Sequence, residues 1–143
     1  MVVGKRRTSV DLDIYAGTVR SFEWLWSSND VMPGLDAFEG LDEDDQAAVI
    51  ATFEHWGDLE LGRRVSETRI NEESANPKIL AAKTGKHRFS MFHAGGNVWI
   101  VCRHYEKQKQ KLDKIGKTAI KLTIEDQKEY EKRVSAGEYY ERH

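Results

Sequence analysis

The alternation of apolar and polar residues predicts a strand near the start of the chain. Val10, Leu12 and Ile14 alternate with polar residues up to Gly17, which is the two-residue period of a strand with one buried face. The next stretch, TVRSFEWLWSS, is compatible with a second strand or with the start of a helix.

A helix is predicted over residues 41–58, which carry an apolar stripe at helical spacing. Asp42 is suited to cap the first turn, and three acidic residues follow it where the helix dipole favours anions. Gly57 marks the expected end of this helix. Residues 58–74 predict a shorter second helix or an irregular segment before Pro77.

Three short strands are predicted after Pro77. The segments KILAAKTG and KHRFSMFHAGG meet around Gly85, and NVWIVCRHYEK follows a Gly-Gly-Asn turn that is typical of a hairpin. Residues 78–112 are therefore expected to form an antiparallel meander, with no helix between Phe89 and Cys102.

The last predicted element is a helix over TIEDQKEYEKRV, with Thr123 as its N-cap. The order of the elements indicates an α+β fold. In this fold an N-terminal strand and helices pack on one face of a largely antiparallel sheet, which has a C-terminal strand meander and a terminal helix. Trp24, Phe53 and Trp99 are expected to share one core between the helices and the sheet.

Strict alternation along the last strand divides its side chains into two sets that face opposite sides of the sheet. The two sets are Trp99, Val101, Arg103 and Tyr105, and Ile100, Cys102 and His104.

Length and cysteine content favour one domain in a reducing compartment. The 143 residues suit a single core, so residues 1–143 are expected to form one domain. No run approaches the ~20 apolar residues of a membrane span, and no apolar block near Met1 resembles a signal peptide. The single cysteine, Cys102, cannot form an internal disulfide, and the expected location is therefore the cytoplasm.

The net charge of −2 conceals a strong asymmetry along the chain. Residues 1–77 hold 7 Lys/Arg and 16 Asp/Glu, whereas residues 78–122 hold 11 Lys/Arg and 2 Asp/Glu. Such an excess of cations favours an anion-binding surface. The alternative is that the acidic half folds over the basic half and neutralises it.

The predicted meander gathers cations and proton-transfer groups at one end of the sheet. Arg and Lys can hold a phosphate and its developing charge, and His or Tyr can move protons or stack on a base. RNA supplies its own nucleophile, the 2′-OH, and the region has no HxxxH or CxxC spacing, so neither a metal nor another cofactor is expected. Taken one at a time, a lysine on a strand is usually solvated, and His87 and His104 are more typical of surface or core histidines than of catalytic groups. The gathered residues are Lys83, Lys86, His87, Arg88, Arg103, His104, Tyr105 and Lys107, followed by Lys109 and Lys111.

The stretch KILAAKTGKHRFSMFHAGGNVWIVCRHYEKQKQKL resembles the C-terminal half of RelE/HigB-type toxins of bacterial toxin–antitoxin systems, especially their phage-derived branch. That family shows a basic L-K-x-G-x-x-R strand, a hairpin, an apolar strand and a Lys-rich exit into a helix. The resemblance covers roughly residues 46–134 and leaves an N-terminal extension, and family toxins are usually shorter and more basic. The positions that match are Leu80, Lys83, Gly85, Arg88, the strand 98–102 and the exit 107–111.

The resemblance implies a RelE-like toxin domain that cleaves mRNA on the ribosome through 2′-OH attack, with a cognate antitoxin as partner and no membrane association. The catalytic set that it implies is Lys83, Arg88, Arg103 and His104, with Lys107 just beyond. Together with the other residues at that end of the sheet and in the basic exit, the expected RNA-binding set is Lys86, His87, Tyr105, Lys107, Lys109 and Lys111. The alternative is a non-catalytic protein of RelE/ParE fold, or a phage-derived accessory protein, that acts on a protein target such as gyrase. A nuclease needs a proton-transfer group beside its cations, whereas a binding protein needs only an exposed surface.

Overall fold

A six-stranded sheet and three helices make up the part of the chain that the computed structural model describes, residues 12–66, 69–107 and 114–139. No helix within these ranges has the length and apolar character needed to cross a membrane. The strands are β1 (Asp13–Ala16), β2 (Ser21–Trp24), β3 (Ile70–Ala75), β4 (Lys78–Thr84), β5 (His87–Gly95) and β6 (Val98–Glu106). The helices are α1 (Pro33–Glu39), α2 (Glu43–Asp58) and α3 (Lys114–Ser135).

The strands follow the order β1-β2-β6-β5-β4-β3 across the sheet. Neighbouring strands are antiparallel except for β2 and β6, which run parallel with Ser21 opposite Val98 and Trp24 opposite Val101. The predicted α+β class and the largely antiparallel sheet are therefore confirmed. The ambiguous stretch TVRSFEWLWSS contributes strand β2.

The predicted meander is confirmed for the described residues. Strands β4 and β5 meet at a turn that contains Gly85, and β5 and β6 meet at Gly95 and Gly96. These three residues have φ values of 56°, 106° and 55°, which glycine adopts without the steric cost of a side chain. Strand β6 ends at Glu106, and the rest of the prediction, to residue 112, extends beyond the described range.

The structure corrects the prediction of a short helix or irregular segment over residues 58–74. Residues 59–66 are irregular, but Ile70–Ala75 forms β3, the edge strand that pairs with β4. Glu72 and Glu73 conceal the strand in the sequence, because they interrupt its apolar pattern. Charged side chains are common on edge strands, where they discourage pairing with other chains.

Helix α2 is confirmed to within two residues, and both of its ends have side-chain partners. The Asp42 side chain accepts a hydrogen bond from the Asp45 amide at 2.8 Å, as expected for an N-cap. At the other end, Arg20 Nη1 donates to the carbonyl oxygens of Trp56 and Leu59 at 3.0 and 3.1 Å. These bonds fix the position of α2 relative to β2.

The helices cover both faces of the sheet, which corrects the prediction that they share one face. Tyr130 of α3 packs on Phe92, with ring centroids 5.3 Å apart. The next residue, His93, packs on Trp99, and Trp99 contacts Trp56 of α2 at 5.1 Å. Because successive side chains of a strand point to opposite faces, α2 and α3 lie on different faces. The near-continuous apolar runs of β5 and β6 need cover on both sides.

The predicted core is confirmed. Trp24, Phe53 and Trp99 belong to one cluster of buried side chains that spans the sheet and the helices. Cys102 is fully buried in the same cluster, and burial raises the pKa of its thiol well above the usual value. Cys102 is therefore a packing residue, as a small apolar side chain would be.

Thr123 lies inside α3 and not at its N-terminus, which corrects the predicted cap. The side chain is fully buried, and its hydroxyl donates to the Ala119 carbonyl oxygen at 2.7 Å. Threonine hydroxyls can bond back to the preceding helical turn in this way, as an alternative to capping. Ala119 and Ile120 are buried as well, and so continue the apolar stripe of the helix upstream of Thr123.

Phe53→Ala should lower the free energy of unfolding by about 3–5 kcal/mol. The Phe53 ring is fully buried and lies 4.8 Å from the Phe22 ring, so its truncation removes contacts between α2 and the sheet and leaves a cavity. Leu61→Ala is the control, because Leu61 is 80% exposed and its loss should change the value by no more than about 0.5 kcal/mol. Urea unfolding followed by tryptophan fluorescence measures both variants, and equal losses would contradict the packing of α2 on this face.

Candidate active site

Strand β6 loses its β2 neighbour halfway along its length. The pairing with β2 ends where Trp24 lies opposite Val101. Beyond that point α1 packs close to the strand, because a Cβ added to Gly34 would lie only 3.1 Å from the Cys102 carbonyl oxygen. Residues 103–105 of β6 therefore face a space between helices.

That space is an open pocket of about 290 Å³. Strand β6 forms its floor, and α1 and α3 form its walls. Two of the α3 residues are apolar and well exposed, with Ile115 at 63% and Leu122 at 36%. The floor is Arg103, His104 and Tyr105, and the walls include Pro33, Ala37, Ile115, Thr118 and Leu122.

A β-bulge sets the direction of the side chains on this floor. Two residues of β6, Cys102 and Arg103, lie opposite the single residue Ser90 of β5. The Ser90 hydroxyl accepts a hydrogen bond from the Arg103 amide at 3.1 Å and lies 2.5 Å from the Thr123 hydroxyl of α3. These bonds satisfy a backbone group that the bulge removes from the ladder.

The bulge also corrects the predicted faces of β6. Past the bulge the alternation is offset by one residue, so Arg103 and Tyr105 leave the face that carries Trp99 and Val101. They turn toward α3, and His104 takes the opposite face, toward α2. Strict alternation fails here because the extra residue has no counterpart on the partner strand.

Three side chains, those of Asp45, His87 and His104, are hydrogen-bonded in series from α2 to the pocket. His87 Nδ1 lies 2.9 Å from His104 Nε2, and His87 Nε2 lies 3.2 Å from Asp45 Oδ2. The His87 side chain is 6% exposed and that of Asp45 is 41% exposed. His104 is the member of the chain that lines the pocket.

His104 is suited to accept a proton near neutral pH. Burial lowers the pKa of His104, and the nearby His87 lowers it further, whereas Glu106 acts in the opposite direction. A histidine with a lowered pKa is neutral at pH 7 and keeps one nitrogen lone pair for a ligand.

Arg103 is held by a carboxylate of α3. Its Nε and Nη2 atoms donate to the two carboxylate oxygens of Asp126, both at 2.8 Å. This bidentate hydrogen bonding raises the pKa of Arg103, and the Asp126 side chain is only 10% exposed. The charge of Arg103 is thus balanced inside the protein, and Nη1 is the part of the guanidinium group that remains for a ligand.

Lys83, Arg88 and Tyr105 form a row across the three meander strands. Lys83 lies opposite Arg88, and Arg88 lies opposite Tyr105. Arg88 Nη1 donates to the carbonyl oxygens of Gly85 and His87 at 2.6 and 3.0 Å. Arg88 therefore braces the β4–β5 turn while it adds a positive charge beside the pocket floor.

The other predicted cations lie near the same end of the sheet. Lys86 pairs with Glu106 at 3.6 Å, and both side chains are well exposed, so this ion pair adds little stability. The Lys107 amide donates to the Lys86 carbonyl oxygen at 2.8 Å and extends the pairing of β5 with β6. Lys109 and Lys111 lie outside the described residues.

The structure brings together only part of the predicted set. Arg103, His104 and Tyr105 line one pocket, and His87 stands behind His104. Asp45 could not be identified from the sequence, because its position in the acidic first turn of α2 is explained by the helix dipole alone. Within the described ranges, no group of three or more His, Cys, Asp or Glu side chains is arranged to hold a metal ion.

A scan against protein-family models and a search of curated proteins find no match to this chain. The geometry of the pocket and the chemistry of the side chains around it are therefore the guide to function.

Lowering the pH through the ordinary imidazole pKa of about 6.5 should destabilise the protein. The pKa of His104 is depressed in the folded state, so below about pH 6.5 the unfolded chain binds more protons and the free energy of unfolding falls. The loss should grow until the pH reaches the folded pKa and then level off.

His104→Gln should reduce this pH dependence, whereas His55→Gln, which changes an exposed histidine of α2, is the control. Urea unfolding between about pH 7.5 and about pH 5.5 measures the slope in each variant. The same slope in wild type and in His104→Gln would mean that His104 does not couple protonation to folding.

Proposed function

We propose that this protein is a RelE/HigB-type toxin with a RelE-like fold, and that it cleaves mRNA on the ribosome with His104 as the general base. The observation that carries the proposal is the placement of His104. This imidazole, whose pKa is lowered by burial, lines a pocket beside Arg103 and is held from behind by His87.

The chemistry requires a base, a cation and a substrate that supplies its own nucleophile. His104 accepts the proton of an RNA 2′-OH, the 2′-oxygen attacks the adjacent phosphorus, and the bond from phosphorus to the 5′-oxygen breaks. One product then carries a 2′,3′-cyclic phosphate, and the departing 5′-oxygen takes a proton from water to become a hydroxyl. Arg103 Nη1 stabilises the charge that develops on the phosphate oxygens. Lys83 and Arg88 add positive potential along the neighbouring strands.

The order of elements supports the RelE-like assignment. Leu80 and Lys83 lie on β4, Gly85 lies in the turn, and Arg88 lies on β5. The apolar strand β6 follows, and the next described element is the C-terminal helix α3. This sequence of strand, hairpin, apolar strand and helix is the pattern on which the resemblance to the toxin family rests.

A basic stripe on α3 supports an RNA partner. Lys114, Lys117 and Lys121 are exposed and recur at helical spacing, on the same helix as the pocket residue Thr118. A stripe of this kind attracts phosphates independently of base sequence. We further propose that ribosome-bound mRNA is the substrate, that a cognate antitoxin neutralises the protein, and that both encounters take place in the cytoplasm.

The apolar wall of the pocket favours a second candidate, a non-catalytic RelE/ParE-fold protein that binds a protein target such as gyrase. Ile115 is 63% exposed and Leu122 is 36% exposed, and together they would receive an apolar side chain of the target. In this alternative His104 has no proton to move and its replacement changes binding only modestly.

His104→Asn should lower the rate of mRNA cleavage by about 10²–10⁴-fold, the usual contribution of a general base. His93→Gln is the control, because His93 lies exposed on the same meander and contacts the Gly96 carbonyl oxygen. Cleavage is measured on programmed ribosomes and on free mRNA, together with growth after expression in bacteria. If the folded wild type arrests growth without RNA cleavage, and His104→Asn does so equally, the nuclease proposal is wrong and the binding function is favoured.

Arg103→Ala should lower the cleavage rate by about 10²-fold or more. It should also lower the free energy of unfolding by about 1–3 kcal/mol, because the nearly buried Asp126 carboxylate loses its partner. Asp126→Ala is the matched variant, since it breaks the same pair and keeps the cation. The cleavage rates of Arg103→Ala and Asp126→Ala are compared at a temperature where both variants are folded. Equal cleavage rates would exclude an electrostatic role for Arg103.

A further inference from the structure

We infer that Asp45 and His87 form a proton relay that presents His104 Nδ1 to the pocket as an acceptor and takes over the proton that His104 receives. The inference rests on the proposed function for the identity of the ligand. The positions of the protons follow from the contacts of the three side chains alone.

The carboxylate determines the tautomer of His87. Asp45 is 41% exposed, and an ionised carboxylate only accepts hydrogen bonds. Its contact of 3.2 Å with His87 therefore requires a proton on His87 Nε2. A neutral His87 then has its lone pair on Nδ1, the atom that faces His104.

The tautomer of His87 in turn determines that of His104. A distance of 2.9 Å between His87 Nδ1 and His104 Nε2 is a hydrogen bond, and such a bond needs one proton between the two nitrogens. Because His87 Nδ1 carries the lone pair, His104 Nε2 carries the proton. The lone pair of neutral His104 is thus on Nδ1, for which the described part of the chain provides no hydrogen-bond partner.

Proton uptake then proceeds from the ligand hydroxyl through His104 to His87. The O–H bond of the ligand hydroxyl breaks and an N–H bond forms at His104 Nδ1. The Nε2–H proton of His104 moves to His87 Nδ1, which makes His87 the cation and leaves His104 neutral. The positive charge ends 3.2 Å from the Asp45 carboxylate instead of at the pocket floor.

Position and burial support this direction of transfer. His87 is almost completely enclosed, so a charge on it requires a paired carboxylate, and Asp45 supplies one. Asp45 is itself fixed, because its amide donates to the Asp42 cap at 2.8 Å. The other charged groups near the chain are Glu106, its partner Lys86, and the Arg103–Asp126 pair on the opposite face.

Long-range ¹H–¹⁵N NMR correlations of the histidine rings test the inference without RNA. In the wild-type protein at about pH 7.5, both His87 and His104 should show the tautomer that carries its proton on Nε2. A His104 ring that is protonated at Nδ1, or a rapid average of the two tautomers, would overturn the relay. The result is independent of nuclease activity, so failure of the relay is distinguishable from failure of the proposed function.

Asp45→Asn tests the role of the carboxylate. An amide can donate as well as accept, so His87 and His104 should each lose their single tautomer, and the cleavage rate should fall by at least about 10-fold. Asp44→Asn is the control, because it removes the same charge from the same helical turn next to the relay residue. An Asp45→Asn protein that keeps the wild-type tautomers would rule out Asp45 as the positioning residue.

The pH–rate profile adds a second readout. Without the carboxylate the relay cannot hold a positive charge on His87, so the proton that His104 accepts must stay at the pocket floor. The acidic limb of the profile for Asp45→Asn should therefore move to lower pH, and that for Asp44→Asn should stay at the wild-type position. Coincident profiles for the three proteins would exclude proton transfer to His87.

Discussion

The hydrogen bonds of the Ser90 hydroxyl are the constraint on which the site depends. They hold open a bulge in which two residues of β6 oppose one residue of β5. Without the extra residue, Arg103 and Tyr105 would stay on the face of Trp99, and His104 would point to α3. The bulge thus places a cation and a base on opposite sides of one strand, at the point where that strand borders a pocket.

Two acidic side chains contact the basic meander in the folded protein. Asp45, from the acidic first half, reaches His87, and Asp126 of α3 reaches Arg103. Only the first of these contacts comes from the acidic half, and it meets a histidine, whereas Asp126 belongs to the C-terminal segment. Neither contact is a case of the acidic half neutralising a cation of the basic half. The exposed lysines of α3 remain, so positive potential lies beside the pocket, which His104 lines and behind which His87 is buried.

Local signals made most of the elements predictable from the sequence. Helix α2 carries its own cap in Asp42, and the meander carries its own turns at Gly85 and Gly95, so each could be recognised from neighbouring residues. Strand β3 could not, because its place at the edge of the sheet permits charged residues that remove the apolar alternation. The N-terminus of α3 was misplaced because Thr123 has the chemistry of a cap and the burial of a core residue.

The geometry of the site depends on tertiary contacts, which the sequence does not show. A bulge is a mismatch between two strands, so nothing within β6 alone marks the position after Cys102. The contact between Asp45 and His87 requires α2 to lie on one face of the sheet with its first turn next to the start of β5. The two histidines could be assigned to neighbouring strands from the hairpin, but not to a common face.

The parallel pairing of β2 with β6 has a consequence for the order in which the sheet assembles. Strands β3 to β6 are joined by short turns, so their contacts close small loops and form early. Strand β2 can pair with β6 only after β6, which is distant in the sequence, has been formed. Until then Phe22 and Trp24 lack their partner strand. During synthesis β2 therefore leaves the ribosome before the strand that encloses it.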